Sequence, residues 1–147
     1  MEELAVEAKT KWRTDGVTVA RAKSLNLVMS GGGRATAFDF AGTEGNETWI
    51  GTVTLRPNAK TGAHHHGRTE VAVYVVKGRG QIRWGEQLEF TAEVGPGDFV
   101  YFAPLVPHQE INLDADEALD LVVVRSNNEG IAVNLQIVPV EQPEKVF

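Results

Sequence analysis

Trp49, Gly51, Val53 and Leu55 alternate with Thr48, Thr52 and Thr54. That period of two puts one set on the buried face of a strand and the other toward water. Val71 to Val76 forms a compact apolar run closed by Gly78. Gln81 to Trp84 and Gln87 to Thr91 predict a hairpin turning at Gly85-Glu86. The turn Gly95-Pro96-Gly97-Asp98 precedes a strand at Phe99 to Phe102. Leu119, Leu121 and Val123 alternate, as do Ile131, Val133, Leu135 and Ile137, until Pro139 and Pro143 break the pattern. Before Thr48 the signals weaken. Short strands are predicted near 17–22, 25–29 and 34–40, with Gly31-Gly32-Gly33 as a connector and Glu44-Gly45-Asn46 as a turn. Leu4, Ala8 and Trp12 are spaced by four, which suits a short helix or a loosely ordered arm over residues 1–12.

Many short strands at this spacing predict an all-β sandwich or barrel. Composition agrees: 19 valines, 5 isoleucines and 11 threonines make 35 of 147 residues, nearly a quarter of the chain. β-branched side chains favour a pleated, half-buried surface. With no repeat, low-complexity tract or linker, residues 1–147 read as one domain behind an N-terminal arm over 1–30.

Charge and cysteine content narrow the function classes. Fourteen basic against twenty acidic residues give −6, the wrong sign for a binder of phosphate backbones. The absence of cysteine excludes a disulfide scaffold, a thiolate metal site and a cysteine nucleophile. No apolar run approaches the roughly 20 residues of a spanning helix, and the N-terminus lacks a signal peptide's apolar stretch. A cytoplasmic protein without nucleic-acid or membrane partners is expected. Ser24, Ser30 and Ser126 have no nucleophile-elbow context, and the glycines at 31–33 lack a phosphate loop's lysine.

Of the four histidines, His64, His65 and His66 are consecutive and His108 lies beyond the Gly95–Asp98 turn. Residues i and i+2 of a strand share a face, so His64 and His66 point the same way and His65 the other. Two such imidazoles can bind one ion at about 2.0–2.2 Å. Glu70, at the entry to an apolar strand, either pairs with that ion or stays solvated at the strand end.

The stretch Gly62-Ala63-His64-His65-His66-Gly67-Arg68-Thr69-Glu70, running on to Gly78, resembles the first motif of the cupin superfamily, G-x5-H-x-H-x3,4-E-x6-G. Gly97 to His108, continuing to Asn112, resembles the second, G-x5-P-x-G-x2-H-x3-N. Together the motifs cover about residues 58–112. Three turn positions depart from the pattern: Asn58 and Leu105 stand where it has glycine, and Ala103 where it has proline. A fourth departure touches chemistry. Seven residues, not six, separate Glu70 from Gly78, so counting back from Gly78 reaches Val71, unless a bulge absorbs the extra residue.

The resemblance implies an antiparallel jelly-roll barrel (a double-stranded β-helix) with extra N-terminal strands. It implies one divalent ion inside the cup, zinc, iron, manganese or nickel, held by His64, His66, Glu70 and His108. Should Glu70 not ligate, water, Gln109 or His65 completes the shell. The short segments His64–Gly67, Tyr74–Arg79 and Arg83–Gly85 resemble small microbial cupins that include metal-dependent polyketide cyclases. A metal-dependent isomerase, cyclase or dioxygenase acting on a small organic molecule is therefore expected, with a non-catalytic binding module as the alternative. Tyr74, Tyr101 and Gln109 are the candidate substrate contacts, and Arg68 and Arg83 are cations available to an anionic substrate. Apolar residues on both faces of the Val71–Val76 strand suggest a homodimer with N-terminal strands crossing to the partner.

Overall fold

The computed structural model describes residues 12–13, 16, 19–25, 27–28, 33–38, 47–127 and 129–147. Among the described residues twelve strands follow in chain order: β1 Leu27–Val28, β2 Gly33–Phe38, β3 Trp49–Leu55, β4 His64–His65, β5 Val71–Lys77, β6 Gly80–Trp84, β7 Phe90–Val94, β8 Phe99–Phe102, β9 His108–Asn112, β10 Leu119–Arg125, β11 Val133–Asn134 and β12 Glu144–Lys145. They form two six-stranded sheets, ordered β1-β2-β3-β10-β5-β8 and β11-β4-β9-β6-β7-β12. All pairings are antiparallel except the short parallel contact of β12 with β7. The fold is the expected all-β jelly roll. No helix among the described residues is long and apolar enough to cross a membrane.

Alternation builds the core. Val71, Val73 and Val75 of β5 are buried, while Ala72, Tyr74 and Val76 between and after them are exposed. Leu119, Leu121, Val123 and Arg125 of β10 are likewise the inward set. With Trp49, Leu55, Ile82 and Phe102 the apolar members of these sets make one cluster between the sheets. The pairing of β5 with β10 skips Val76, since Lys77 faces Asp120 and Val75 faces Leu121. This bulge absorbs the extra residue before Gly78. Glycine is required there: φ is 96° and a Cβ would lie 2.5 Å from the Ala118 carbonyl oxygen.

Several expectations are corrected. No strand occupies 19–22; Ala22–Ser24 is instead a 3-10 turn, and residues 17 and 18 lie outside the described residues. Of the strand expected at 25–29, Leu27–Val28 forms β1 and residues 26 and 29 lie outside the described residues; of that at 34–40, β2 covers 34–38 and begins one residue earlier at Gly33, with 39 and 40 outside the described residues. Residues 1–11, Gly31, Gly32 and the 44–46 turn also lie outside them. The second arm of the hairpin is Phe90–Val94 rather than Gln87–Thr91. Leu88 turns inward at φ 51° and is buried, and Arg83 donates two hydrogen bonds to its carbonyl oxygen, at 3.0 and 2.8 Å. The loop is therefore longer than two residues, and Arg83 is occupied by backbone rather than free for a substrate. The alternation from Ile131 to Ile137 yields only the two residues of β11, because Ile131 and Val133 have no sheet face to cover them.

Two departures from the cupin glycine pattern keep the glycine backbone. Asn58 has φ 61° and Leu105 has φ 66°. Asparagine tolerates this region, whereas leucine is strained there by about 1–2 kcal/mol. Leu105 is largely exposed, so little packing offsets the strain. Leu105→Gly is expected to raise stability by about 1 kcal/mol, less what the freer glycine costs in the unfolded chain. Denaturant melts check this, and a loss of stability contradicts it.

Candidate metal centre

His64 and His108 are direct cross-strand partners between β4 and β9. Directly opposed residues of an antiparallel pair point to the same face, so their imidazoles must meet. His66 lies two residues on from His64 and joins them. The ring centroids are 4.4 Å apart for His64 and His108, 4.9 Å for His64 and His66, and 5.3 Å for His66 and His108. One nitrogen from each ring lies within 4.8 Å of the others.

The tautomers follow from the partners. His64 Nδ1 is 2.8 Å from the Gly62 carbonyl oxygen, His66 Nδ1 is 2.9 Å from that of Ile131, and His108 Nδ1 is 3.0 Å from that of Val106. A carbonyl only accepts, so each Nδ1 carries the hydrogen and each Nε2 keeps its lone pair. The His108 Nε2 is buried without a hydrogen-bond partner, a costly state for a polar atom unless a ligand fills it. Phe102 stacks on the His108 ring at 3.9 Å and 17°, fixing its plane. The amide of Leu105 donates to the Gly67 carbonyl at 2.8 Å, tying the turn after His66 to the loop before His108. Three oriented Nε2 atoms with carbonyl-bonded Nδ1 groups are the donor set a divalent ion requires.

Burial sets the charge state. It lowers the pKa of His66 from the ordinary histidine value to about 4, helped by the Arg125 charge and opposed by the bond to Ile131. It lowers that of His108 to about 3, with the charge of His64 next in importance. Both rings are therefore neutral at physiological pH, the form that ligates.

His65 points away from the other rings and accepts a hydrogen bond from the Gly67 amide at 2.9 Å. Glu70 is not brought to the three histidines. It continues the outward parity of Ala72 and Tyr74, because 71–75 alternates without interruption and the bulge comes only afterwards at Val76. Its carboxylate accepts a 2.6 Å hydrogen bond from the Tyr101 hydroxyl, which raises the tyrosine's pKa. Val71 takes the inward position instead. Glu70→Ala is expected to leave metal stoichiometry unchanged in elemental analysis; loss of the ion would put the carboxylate in the shell.

The structure does not gather Tyr74, Tyr101 and Gln109 around the histidines. Tyr74 lies on the outer face of β5 against Phe99, at a centroid distance of 4.8 Å, and Tyr101 is outward on β8. Gln109 has the opposite parity to His108 and donates to the Thr61 carbonyl at 2.8 Å. Arg68 is exposed.

Two inward charged residues escaped the sequence reading. Glu110 is two residues from His108 on the same face of β9 and is buried, which raises its pKa against the opposing charges of His64 and Arg125. Parity with His108 was the signal that selects it over Gln109. Arg125 extends the alternation of Leu119, Leu121 and Val123 and lies over the Trp49 ring at 4.3 Å. Beside the centre, an apolar cleft of about 650 Å³ is lined by Ile82, Trp84, Val94, Val100, Phe102 and Val106 among others, and Phe102 links it to His108.

Residues 51–125 match the family described as the cupin domain. No curated protein matches the chain in sequence. Among solved structures, the polyketide cyclase RemF from Streptomyces resistomycificus is similar with a TM-score of 0.69 and 18% identity, over 86% of this chain and 89% of that one. Oxalate decarboxylase from Bacillus subtilis has a TM-score of 0.66 and 21% identity, over 83% of this chain but only 34% of its own. The cupin domain of Schizosaccharomyces pombe Cnp3 has a TM-score of 0.61 and 14% identity, over 73% and 72%. At such identities the likeness is one of fold.

Proposed function

Because the chain belongs to the cupin family, we propose that it is a metal-dependent enzyme acting on a small organic molecule at a mononuclear site between its sheets. The observation that carries this reading is the buried His108 Nε2 without a partner, beside two imidazoles whose Nδ1 groups are held the same way. His64, His66 and His108 would hold the ion, with zinc, iron, manganese and nickel as the candidates. A divalent ion there supplies Lewis-acid stabilisation of charge on a substrate oxygen. Phe102 and the apolar cleft give a substrate an apolar surface to lie on. Glu110, with its pKa raised by burial, holds a proton at its carboxyl oxygens more readily than a solvated glutamate. Isomerisation, cyclisation and oxygen-dependent cleavage are the reaction classes compatible with this set. The neighbours named as a cyclase and a decarboxylase support an enzyme reading without carrying their reactions over.

The test is turnover of small carbonyl, enol and phenol compounds by metal-loaded protein, chelator-stripped protein and His64→Ala. Activity that is lost on stripping and restored by one metal supports the reading. Stoichiometric metal with no turnover across the series favours a binding module.

The reading includes a cytoplasmic homodimer. Tyr74, Val76, Phe99 and Tyr101 form an exposed apolar patch on β5 and the edge strand β8, the kind of surface a second copy covers. Light scattering is expected to give twice the chain mass for the parent protein and the chain mass for Phe99→Asp. A monomeric parent at micromolar concentration contradicts it.

A further inference from the structure

Trp49, Arg125, Val71 and Phe102 are successive cross-strand partners on β3, β10, β5 and β8, and all four are buried. This row ends at Phe102, which lies on the His108 ring. A full positive charge therefore stands in the inward row that meets the imidazoles. No carboxylate of the described residues lies within salt-bridge distance of it; the opposing charge of buried Glu110 acts on it from farther off. Its Nε–H is buried without a hydrogen-bond partner, one of two such side-chain atoms among the described residues; the other is His108 Nε2. The row connects the two orphans through Val71 and Phe102.

The contact with Trp49 does not satisfy the orphan. The indole face, 4.3 Å from the guanidinium carbon, attracts the charge but supplies no oxygen or nitrogen acceptor for the N–H. An unpaired buried donor is costly, more so on a charged group. Arg125 also lines a small cleft of about 260 Å³ with Thr48, Tyr101, Ser126 and Glu70. Glu70 is exposed there and its carboxylate already accepts from Tyr101.

We infer that Arg125 is an anion anchor, and that the molecule bound in the cup carries a carboxylate received by the edge of this guanidinium. The inference rests on the reading of the three histidines as a metal centre only in that a second oxygen of the same molecule faces them. A planar carboxylate matches the fork of N–H donors. The guanidinium brings one positive charge, which a singly charged carboxylate matches.

The experiment is calorimetry on the full chain, metal-free and zinc-loaded, with benzoate, neutral benzamide and inorganic phosphate as probes. Benzoate is expected to bind at least about tenfold more tightly than benzamide, the scale of one charge-assisted hydrogen bond. Arg125→Gln removes that preference with zinc stoichiometry intact. Arg125→Lys, which keeps the charge and the fold-compatible stem, recovers only part of it because an ammonium lacks the planar fork. Equal affinity for benzoate and benzamide, tighter binding of phosphate, or an unchanged preference in Arg125→Gln overturns the anchor. A benzoate preference in protein that binds no zinc upholds the anchor and overturns the metal reading alone; zinc binding without the preference does the reverse.

Discussion

His108→Ala is expected to abolish stoichiometric metal binding while leaving a folded protein. Zinc held by four protein ligands is worth about 10–16 kcal/mol in small domains, or roughly 3 kcal/mol per ligand. Losing one imidazole therefore weakens the site by about a hundredfold or more. His108 is also the best oriented of the three, because Phe102 stacks on its ring and Val106 holds its Nδ1. Metal-free His108→Ala loses that stacking but also removes the orphaned buried Nε2, so the two effects oppose and the fold survives. Thermal melts with and without zinc separate binding from folding. A ligand at 100 times its Kd stabilises by about 2.7 kcal/mol, so the parent melt rises with zinc and the variant melt does not. An equal rise in both removes His108 from the site.

The largest loss of stability outside the apolar core is expected at Asn112. Its side chain is buried, and the two hydrogens of Nδ2 are shared among the carbonyl oxygens of Leu55, Arg56 and Glu117 at 3.1, 3.0 and 2.8 Å. Oδ1 accepts from the Asp114 amide at 2.9 Å. One residue thus ties the end of β9 to the end of β3 and to the turn before β10. Asn112→Ala strips these bonds in a place water does not reach, costing about 3 kcal/mol at roughly 1 kcal/mol for each bond lost. Against a total stability of about 5–15 kcal/mol that is a large fraction, and the melting temperature falls by about 10 °C. A drop of only about 2 °C would mean the network contributes little.

What the amino-acid pattern disclosed depended on whether a segment has a sheet to bury it. The Val71–Val76 run and the Leu119, Leu121, Val123 alternation mark the central strands because each has one face on the core. The same alternation at Ile131 to Ile137 leaves Ile131 and Val133 exposed and only half-buries Leu135 and Ile137, so it stays largely irregular. The three histidines were legible from parity within His64–His66 and from the second motif. Glu70 was not, since its orientation depends on where the bulge falls; at Val76 it leaves the inward row to Val71. Glu110 and Arg125 were within reach of the same parity that selects the histidines. Their burial is a tertiary fact that an acidic or basic letter in a sequence argues against.

Metal content of tag-free protein, after loading at neutral pH and removal of excess ion, tests the central claim most directly. One ion per chain in the parent and in Glu70→Ala, with none in His64→Ala or His108→Ala, is the predicted result. No ion in the parent, or an ion retained without His64 and His108, would contradict the assignment of these imidazoles as a metal centre.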